Sequence, residues 1–221
     1  MDVQTSWWWS SHEPMLRAAI DTFRPDFILE LGSGQYSTPI FHAAGVPTWS
    51  VENDADWLAR TKRSLPRTTL VEFIHHDLGP DIHITTKPFE LTDAQRHDIA
   101  RYYSDLVGRV PKADCTLAFV DQFTSARTLS INELLGTLDV ILFHDCEPEG
   151  IPWYEYYFDE SKTPSYDRYT LKTPKVWTGL FVRRTVVFDG FQLCAASKRH
   201  SDSYAKRNGL DPTEFFLQRG A

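Results

Sequence analysis

Five short apolar runs, each delivering an acidic residue near its end and each followed by a helical pattern, constrain this chain more than any other feature. The runs cover residues 27–31, 48–51, 69–75, 115–120 and 140–143, and the acids are Glu30, Glu52, Asp77, Asp121 and Asp145. Runs of this length, rich in Phe, Ile, Leu and Val, suit strands buried on both faces. Their alternation with helices predicts an α/β fold, a Rossmann-like open and mostly parallel sheet with helices on both faces.

The helices have their own signals. Ser11 or His12 caps a first helix reaching about Phe23, with Met15, Leu16, Ala19, Ile20 and Phe23 at helical spacing. Thr38 before Pro39 starts a second helix, which Gly45 closes. Residues 53–56 open a third helix with acids at its positive end, and Pro66 ends it. Thr92 and Gln95 fit a capping box for a helix to about Val107, and a fifth helix over 126–135 stops at Gly136. A short strand is expected at 82–84. Beyond Asp145 the texture changes. Residues 153–158 form an aromatic cluster that reads as a helix or lid, and 176–183 with 186–195 read as an antiparallel C-terminal hairpin, Asp189-Gly190 being a turn signal. The tail from Ser197 is polar. The chain reads as one unit over 1–221, with an N-terminal helical cover (1–25), a longer connection with a helix (78–111) and a substrate-side segment with the terminal hairpin (146–221).

Composition narrows the setting. At 221 residues the chain buries roughly 70% of its unfolded surface, enough for a full core. Its 23 basic and 30 acidic residues give a net charge of -7, which repels phosphate backbones, so no general nucleic-acid binding is expected. No apolar run approaches the roughly 18 residues of a membrane span, and no basic segment leads into an apolar stretch at the N-terminus. Three cysteines without a CxxC spacing read as free thiols, so a reducing, cytoplasmic setting is expected.

Ligands of parallel sheets bind outside the carboxyl ends of the strands, where the five acids fall. Acids crowded on one rim repel each other unless something binds there. Gly32 and Gly34 allow a tight turn and close backbone approach, although a purely structural turn looks the same. Ser37 stands where a dinucleotide fingerprint has its third glycine, and Glu52, twenty residues after Gly32, suits the two hydroxyls of a ribose. Glu30 beside the turn disfavours a pyrophosphate and favours an ammonium group. The ligand therefore reads as adenosine joined to an amino acid.

Over about residues 7–145 the ordered set of residues 30–34, Glu52, Asp77 and Asp121 resembles class I S-adenosylmethionine-dependent methyltransferases. The resemblance implies that Glu30, Gly32 and Gly34, with Tyr36 and Ser37 of the same loop, surround the methionine part of the cofactor. It implies that Glu52 holds the ribose, Asp77 the adenine amino group, and that Asp121 also borders the cofactor. More narrowly, Asp121, Arg127 and Asp145 are similar to the catechol O-methyltransferase-like branch, where such acids hold a divalent metal. A magnesium-like ion on Asp121 and Asp145 would lower the pKa of a substrate hydroxyl. The chain departs from that branch at Cys146, where Asn is expected, and at residues 122–124, which lack its lysine base. Asp145 as a helix cap is the alternative.

His144 is the alternative base at the transfer junction, its plain reading being a hydrogen-bonded histidine at a strand end. His75 and His76 have a weaker case. Trp7, Trp8 and Trp9 either cover the pocket or pack the first helix, and the 153–158 cluster either stacks on a sugar or aromatic acceptor or packs the core. The expected activity is methyl transfer from S-adenosylmethionine to an oxygen or nitrogen of a small or medium acceptor, a small molecule or glycan, with Asp121, His144 and Asp145 catalytic. The rivals are an NAD-linked oxidoreductase and a non-catalytic binding subunit of the same fold.

Overall fold

The computed structural model describes residues 7–66, 70–147 and 157–220. Eight strands form one sheet: β1 (Phe27–Leu31), β2 (Thr48–Glu52), β3 (Val71–His75), β4 (Thr116–Val120), β5 (Val140–His144), β6 (Tyr166–Lys172), β7 (Thr178–Arg183) and β8 (Phe216–Arg219). Their order is β3-β2-β1-β4-β5-β7-β6-β8. The first five strands are parallel, and β7 enters antiparallel against β5, followed by antiparallel β6 and β8. The Rossmann-like sheet with an antiparallel C-terminal edge is therefore present.

The α-helices are α1 (Glu13–Phe23), α2 (Thr38–Ala44), α3 (Ala55–Ser64), α4 (Asp93–Arg109), α5 (Thr124–Leu134) and α6 (Gly190–Asn208). Strand alternation sorts side chains between two cores. Ile28, Leu117, Phe119, Val140 and Leu142 face α1 and α6, packing on Met15, Leu16, Leu193 and Ala196. Leu29, Leu31, Ala118, Val120, Ile141 and Phe143 face α4 and α5, packing on Ile99, Tyr103, Leu106, Ile131 and Leu134. Each buried Val, Leu, Ile, Phe or Met among them contributes roughly 1.5–3 kcal/mol, and together they fix the strand ends that carry the site. No helix among the described residues is long and apolar enough to cross a membrane.

Local signals hold at several helix starts. Thr92 and Gln95 cap α4 reciprocally, and Asp54 accepts the Trp57 amide at 2.8 Å to cap α3. Thr38 departs from expectation. It is the first residue of α2, but its hydroxyl turns back to Glu30 instead of capping. Residues 82–84 form no strand; turns close there through Ile82 N to Gly79 O (3.3 Å) and Thr86 N to His83 O (2.9 Å).

The late chain also corrects the sequence reading. Residues 186–195 are not a strand. Asp189 caps α6 by accepting the Phe191 amide at 2.8 Å, and Leu193, Ala196, Ser197, Ser201, Tyr204 and Ala205 form one buried helical stripe. The partner of β7 is β6, upstream rather than downstream. Of the aromatic cluster at 153–158, residues 153–156 lie outside the described residues; Tyr157 is exposed and Phe158 packs on Phe143 and Phe181. Trp7 packs against Tyr204 and Phe215, whereas Trp9 is exposed.

Candidate functional site

The carboxyl ends of β1, β2, β4 and β5 meet at one rim. Gly32, at φ +99°, turns the chain out of β1, and a Cβ there would lie 2.4 Å from the Asp121 carbonyl oxygen. The Asp121 amide in turn donates to Leu31 O at 2.7 Å. Only glycine lets the β1 turn touch the end of β4 this closely.

Glu30 lies one residue short of the strand end and is fully buried. Its carboxylate accepts from Ser37 Oγ at 2.6 Å, from Thr38 Oγ1 at 2.8 and 3.0 Å, and from Ser50 Oγ. Burial pushes it up to about 7 against the pull of those hydroxyls. Glu30, expected beside the methionine part of the cofactor, has its oxygens occupied by these hydroxyls, and it holds the loop from behind. Ser37 is buried in the same contact, while Tyr36 is exposed at the loop tip and the Gly34 amide donates to Thr38 Oγ1 at 3.0 Å.

Glu52 closes β2. Its Oε1 accepts the Asn53 amide at 2.7 Å and the Asp54 amide at 2.9 Å, and burial pushes the carboxyl up to about 7 despite them. Beside it, Asn53 donates through Nδ2 to His76 O at 3.0 Å, but its buried Oδ1 has no hydrogen-bond partner. Asp77 is exposed beyond β3, with Oδ1 accepting the Gly79 amide at 2.8 Å. His76 stacks flat on Tyr102 at 3.4 Å, and burial, with His75 nearby, brings it down to about 4.

Asp121, His144 and Asp145 come together, as their strand-end positions imply. Arg127, from the first turn of α5, joins the two acids: Nη2 donates to Asp121 Oδ1 at 2.7 Å and Nη1 to Asp145 Oδ2 at 2.6 Å. Its Nε donates to Gln122 O at 2.7 Å. Asp145 adopts φ +58°, a left-handed conformation that Asp tolerates better than most residues. His144 Nδ1 lies 3.5 Å from Asp121 Oδ2 and 3.4 Å from Asp145 Oδ1, and its Nε2 lies 2.9 Å from Ser11 Oγ. Burial lowers the His144 pKa, but the carboxylates of Asp145 and Asp121 outweigh it and raise it above the usual value. Burial raises Asp121, yet Arg127 and His144 hold it below the ordinary carboxylate range.

The magnesium-like ion expected between Asp121 and Asp145 does not fit this donor set. A guanidinium already bridges the pair, and a cation placed between them would face it directly. Asp145 Oδ2 serves Arg127, and the helix that Asp145 is expected to cap would begin at residues outside the described ones.

Two participants escaped the sequence reading. Gln122, noted there only for not being lysine, buries its amide against Ser130 Oγ at 2.7 Å and accepts from Tyr103. His12, read as a helix cap, makes no capping bond; its ring lies 4.7 Å from the His144 ring and 4.9 Å from Phe119. Burial and His144 bring His12 down to about 3, so it is neutral. No sequence period marks either residue, because each is recruited by contacts between distant elements.

Two hollows of about 430 Å³ each lie at the amino end of the sheet, one bordered by Asp26, Pro47 and Lys112 and the other by Gly108, Gly136 and Lys162, away from these acids.

The sheet order and its acidic rim define a class I methyltransferase fold. A methyltransferase-like protein from Silicibacter pomeroyi DSS-3 shares it, at 18% identity and a TM-score of 0.50, with 86% of this chain and 93% of that chain covered. The N-methyltransferase NodS from Bradyrhizobium japonicum WM9 is 10% identical over 78% of this chain and 94% of its own, with a TM-score of 0.48. An RNA methyltransferase from Salinibacter ruber, in complex with S-adenosyl-L-homocysteine, is 19% identical over 81% of this chain and 94% of that one, with a TM-score of 0.43. No protein-family model matches this chain, and no curated protein matches its sequence. The similarity at a TM-score of 0.50 gives the fold alone, and it does not single out the catechol O-methyltransferase-like branch.

Proposed function

We propose that this chain is an S-adenosylmethionine-dependent methyltransferase acting on an oxygen or nitrogen of a small or medium acceptor, a sugar or an aromatic compound. The observation that carries this reading is the pair at the end of β2. Glu52 commits one oxygen to two backbone amides, and the adjacent Asn53 Oδ1 is buried without a partner. A carboxylate beside an unsatisfied amide oxygen suits a ligand that donates hydrogens, such as a ribose diol and an exocyclic amino group. Asp77, with Oδ1 on the Gly79 amide, keeps Oδ2 for the far side of an adenine. The turn at Gly32 and Gly34, braced by Glu30, borders the methionine end, and the acidic rim favours a cation.

When bound, S-adenosylmethionine supplies an electrophilic methyl group on a sulfonium. The chain's part is to bind, orient and exclude water, and these account for most of the rate of an in-line transfer. Asp121, His144 and Asp145, fixed by Arg127, are the groups we assign to the acceptor side. A dinucleotide oxidoreductase is disfavoured because antiparallel β7 stands between β5 and β6, where the usual dinucleotide sheet continues in parallel order. Cys115, Cys146 and Cys194 are free, in keeping with a cytoplasmic protein.

Titration calorimetry with S-adenosylhomocysteine and with NAD tests the reading. The expected result is stoichiometric heat with the first alone, weakened at least about tenfold in Glu52→Gln, equivalent to about 1.4 kcal/mol. Heat with NAD only would overturn it. Transfer of labelled methyl groups is then followed on panels of hydroxylated and amino compounds and on RNA; labelling of RNA alone would replace the small acceptor.

A further inference from the structure

His12 buries two polar atoms that nothing among the described residues satisfies. Its side chain is 2% exposed and lies against Phe119 and the His144 ring, and neither ring nitrogen has a hydrogen-bond partner. Buried polar atoms without partners are rare because they lose their hydration for nothing. The His12 Nδ1 lies 3.9 Å from Asp121 Oδ2, the same oxygen that lies 3.5 Å from His144 Nδ1. The three donor atoms all lie within 4.8 Å of one another.

The groups behind these donors turn them inward. Arg127 takes Asp121 Oδ1 and leaves Oδ2 on the imidazole side. Ser11 Oγ, 2.9 Å from His144 Nε2, fixes the ring with Nδ1 toward Asp121. Histidines that ligate metals are oriented in this way through their second nitrogen. Two carboxylates, Asp121 and Asp145, face one guanidinium across the cluster.

We propose that His12 Nδ1, Asp121 Oδ2 and His144 Nδ1 form a binding site for a divalent first-row transition ion of the zinc, cobalt and iron(II) kind. Two imidazoles and a carboxylate suit such ions, whereas magnesium prefers an all-oxygen, heavily hydrated shell. The site differs from the Asp121–Asp145 pair in both its second and its third ligand. Three protein ligands leave coordination positions open, which an acceptor oxygen would fill and thereby lose its proton more readily. That use of the ion rests on the methyl-transfer reading; ion binding itself does not.

The test uses the full chain, stripped with EDTA and titrated with Co2+. The expected result is one equivalent bound with a visible absorption band, displaced by Zn2+, and Mg2+ bound at least 100-fold more weakly. His12→Phe, which keeps the packing against Phe119, should weaken Co2+ binding at least 100-fold, while His97→Ala on the exposed face of α4 should leave it unchanged. Should His12→Phe fail to fold, zinc-edge absorption on the wild-type protein reads the ligands directly, with two imidazoles expected. No stoichiometric Co2+ uptake, fewer than two imidazoles, or unchanged affinity in folded His12→Phe overturns the site. Titration with S-adenosylhomocysteine on the same samples separates the two claims. Nucleoside heat without Co2+ uptake sinks the ion site alone, and Co2+ uptake without nucleoside heat keeps the ion but removes its assigned use.

Discussion

Asp121 and Asp145 end neighbouring strands, and one guanidinium keeps them side by side. Arg127 is nearly buried, so its two ion pairs escape much of the screening that weakens surface pairs. Removing one partner of a buried pair leaves the remaining charges uncompensated, typically at a cost of about 3–5 kcal/mol. Arg127→Met should therefore lower the unfolding free energy by about 3 kcal/mol in a denaturant titration, and Arg127→Lys should recover only part, since a single ammonium cannot replace the planar fork. Full stability in Arg127→Met would show that the pairs contribute nothing. The acids of this group were legible because strand ends place side chains at the rim. His12 was not, because its meaning lies in the space between α1 and β5, which no one-dimensional pattern encodes. Glu30 was legible as an acid beside a glycine turn but not as a brace, since three hydroxyls from two other elements fill its oxygens.

Among the elements, the parallel half of the sheet, β7 and the antiparallel edge it opens were readable, whereas the strands beyond β7 were not. Strands β1 to β5 are short runs bounded by turn residues, each with a single plausible role. Residues 186–195 carry Val, Phe and Cys in a strand-like texture, yet Val187 and Phe191 are almost fully exposed and the buried positions follow a helical period. The deciding signal was Asp189, which serves as a cap as well as a turn residue. Strand β6 was missed because Asp167, Arg168 and Lys172 dilute its apolar positions, as suits the less buried side of a sheet. The junction between the halves is tight. A Cβ on Gly179 of β7 would lie 2.1 Å from the Phe143 ring of β5. Gly179→Ala should cost at least about 2 kcal/mol through overpacking. Pairing it with Phe143→Leu should restore part of the loss, a coupling that a double-mutant cycle in urea would measure. Strict additivity would mean that the ring does not hold this junction.

For the whole molecule, two buried carboxyls make stability depend on pH in an unusual direction. Glu30 rises from 4.5 to about 7 on folding because burial disfavours its charge. Between those values the folded state holds a proton that the unfolded state has released, so stability falls as pH rises. The contribution is complete below about pH 4.5 and gone above about pH 7, a change of about 3 kcal/mol. Glu52 has the same sign. His12 and His76 act oppositely: burial lowers both, so the unfolded chain takes up their protons first and stability falls as pH drops below about 6.5. Groups of opposite sign overlap between pH 4.5 and 6.5, so the wild-type curve there should be shallow. A variant resolves them. Glu30→Gln keeps a neutral amide among Ser37, Thr38 and Ser50 and cannot titrate. The stability of wild type relative to Glu30→Gln, measured by denaturant unfolding in EDTA, should therefore decline by about 3 kcal/mol from pH 4.5 to pH 7.5. A difference constant across that range would mean that Glu30 is ionised in the folded protein at acid pH, with its three hydroxyls outweighing its burial. In that case the glycine turn would be braced by a permanent charge, and the rim would hold a cationic ligand with one more negative group than is assigned to it here.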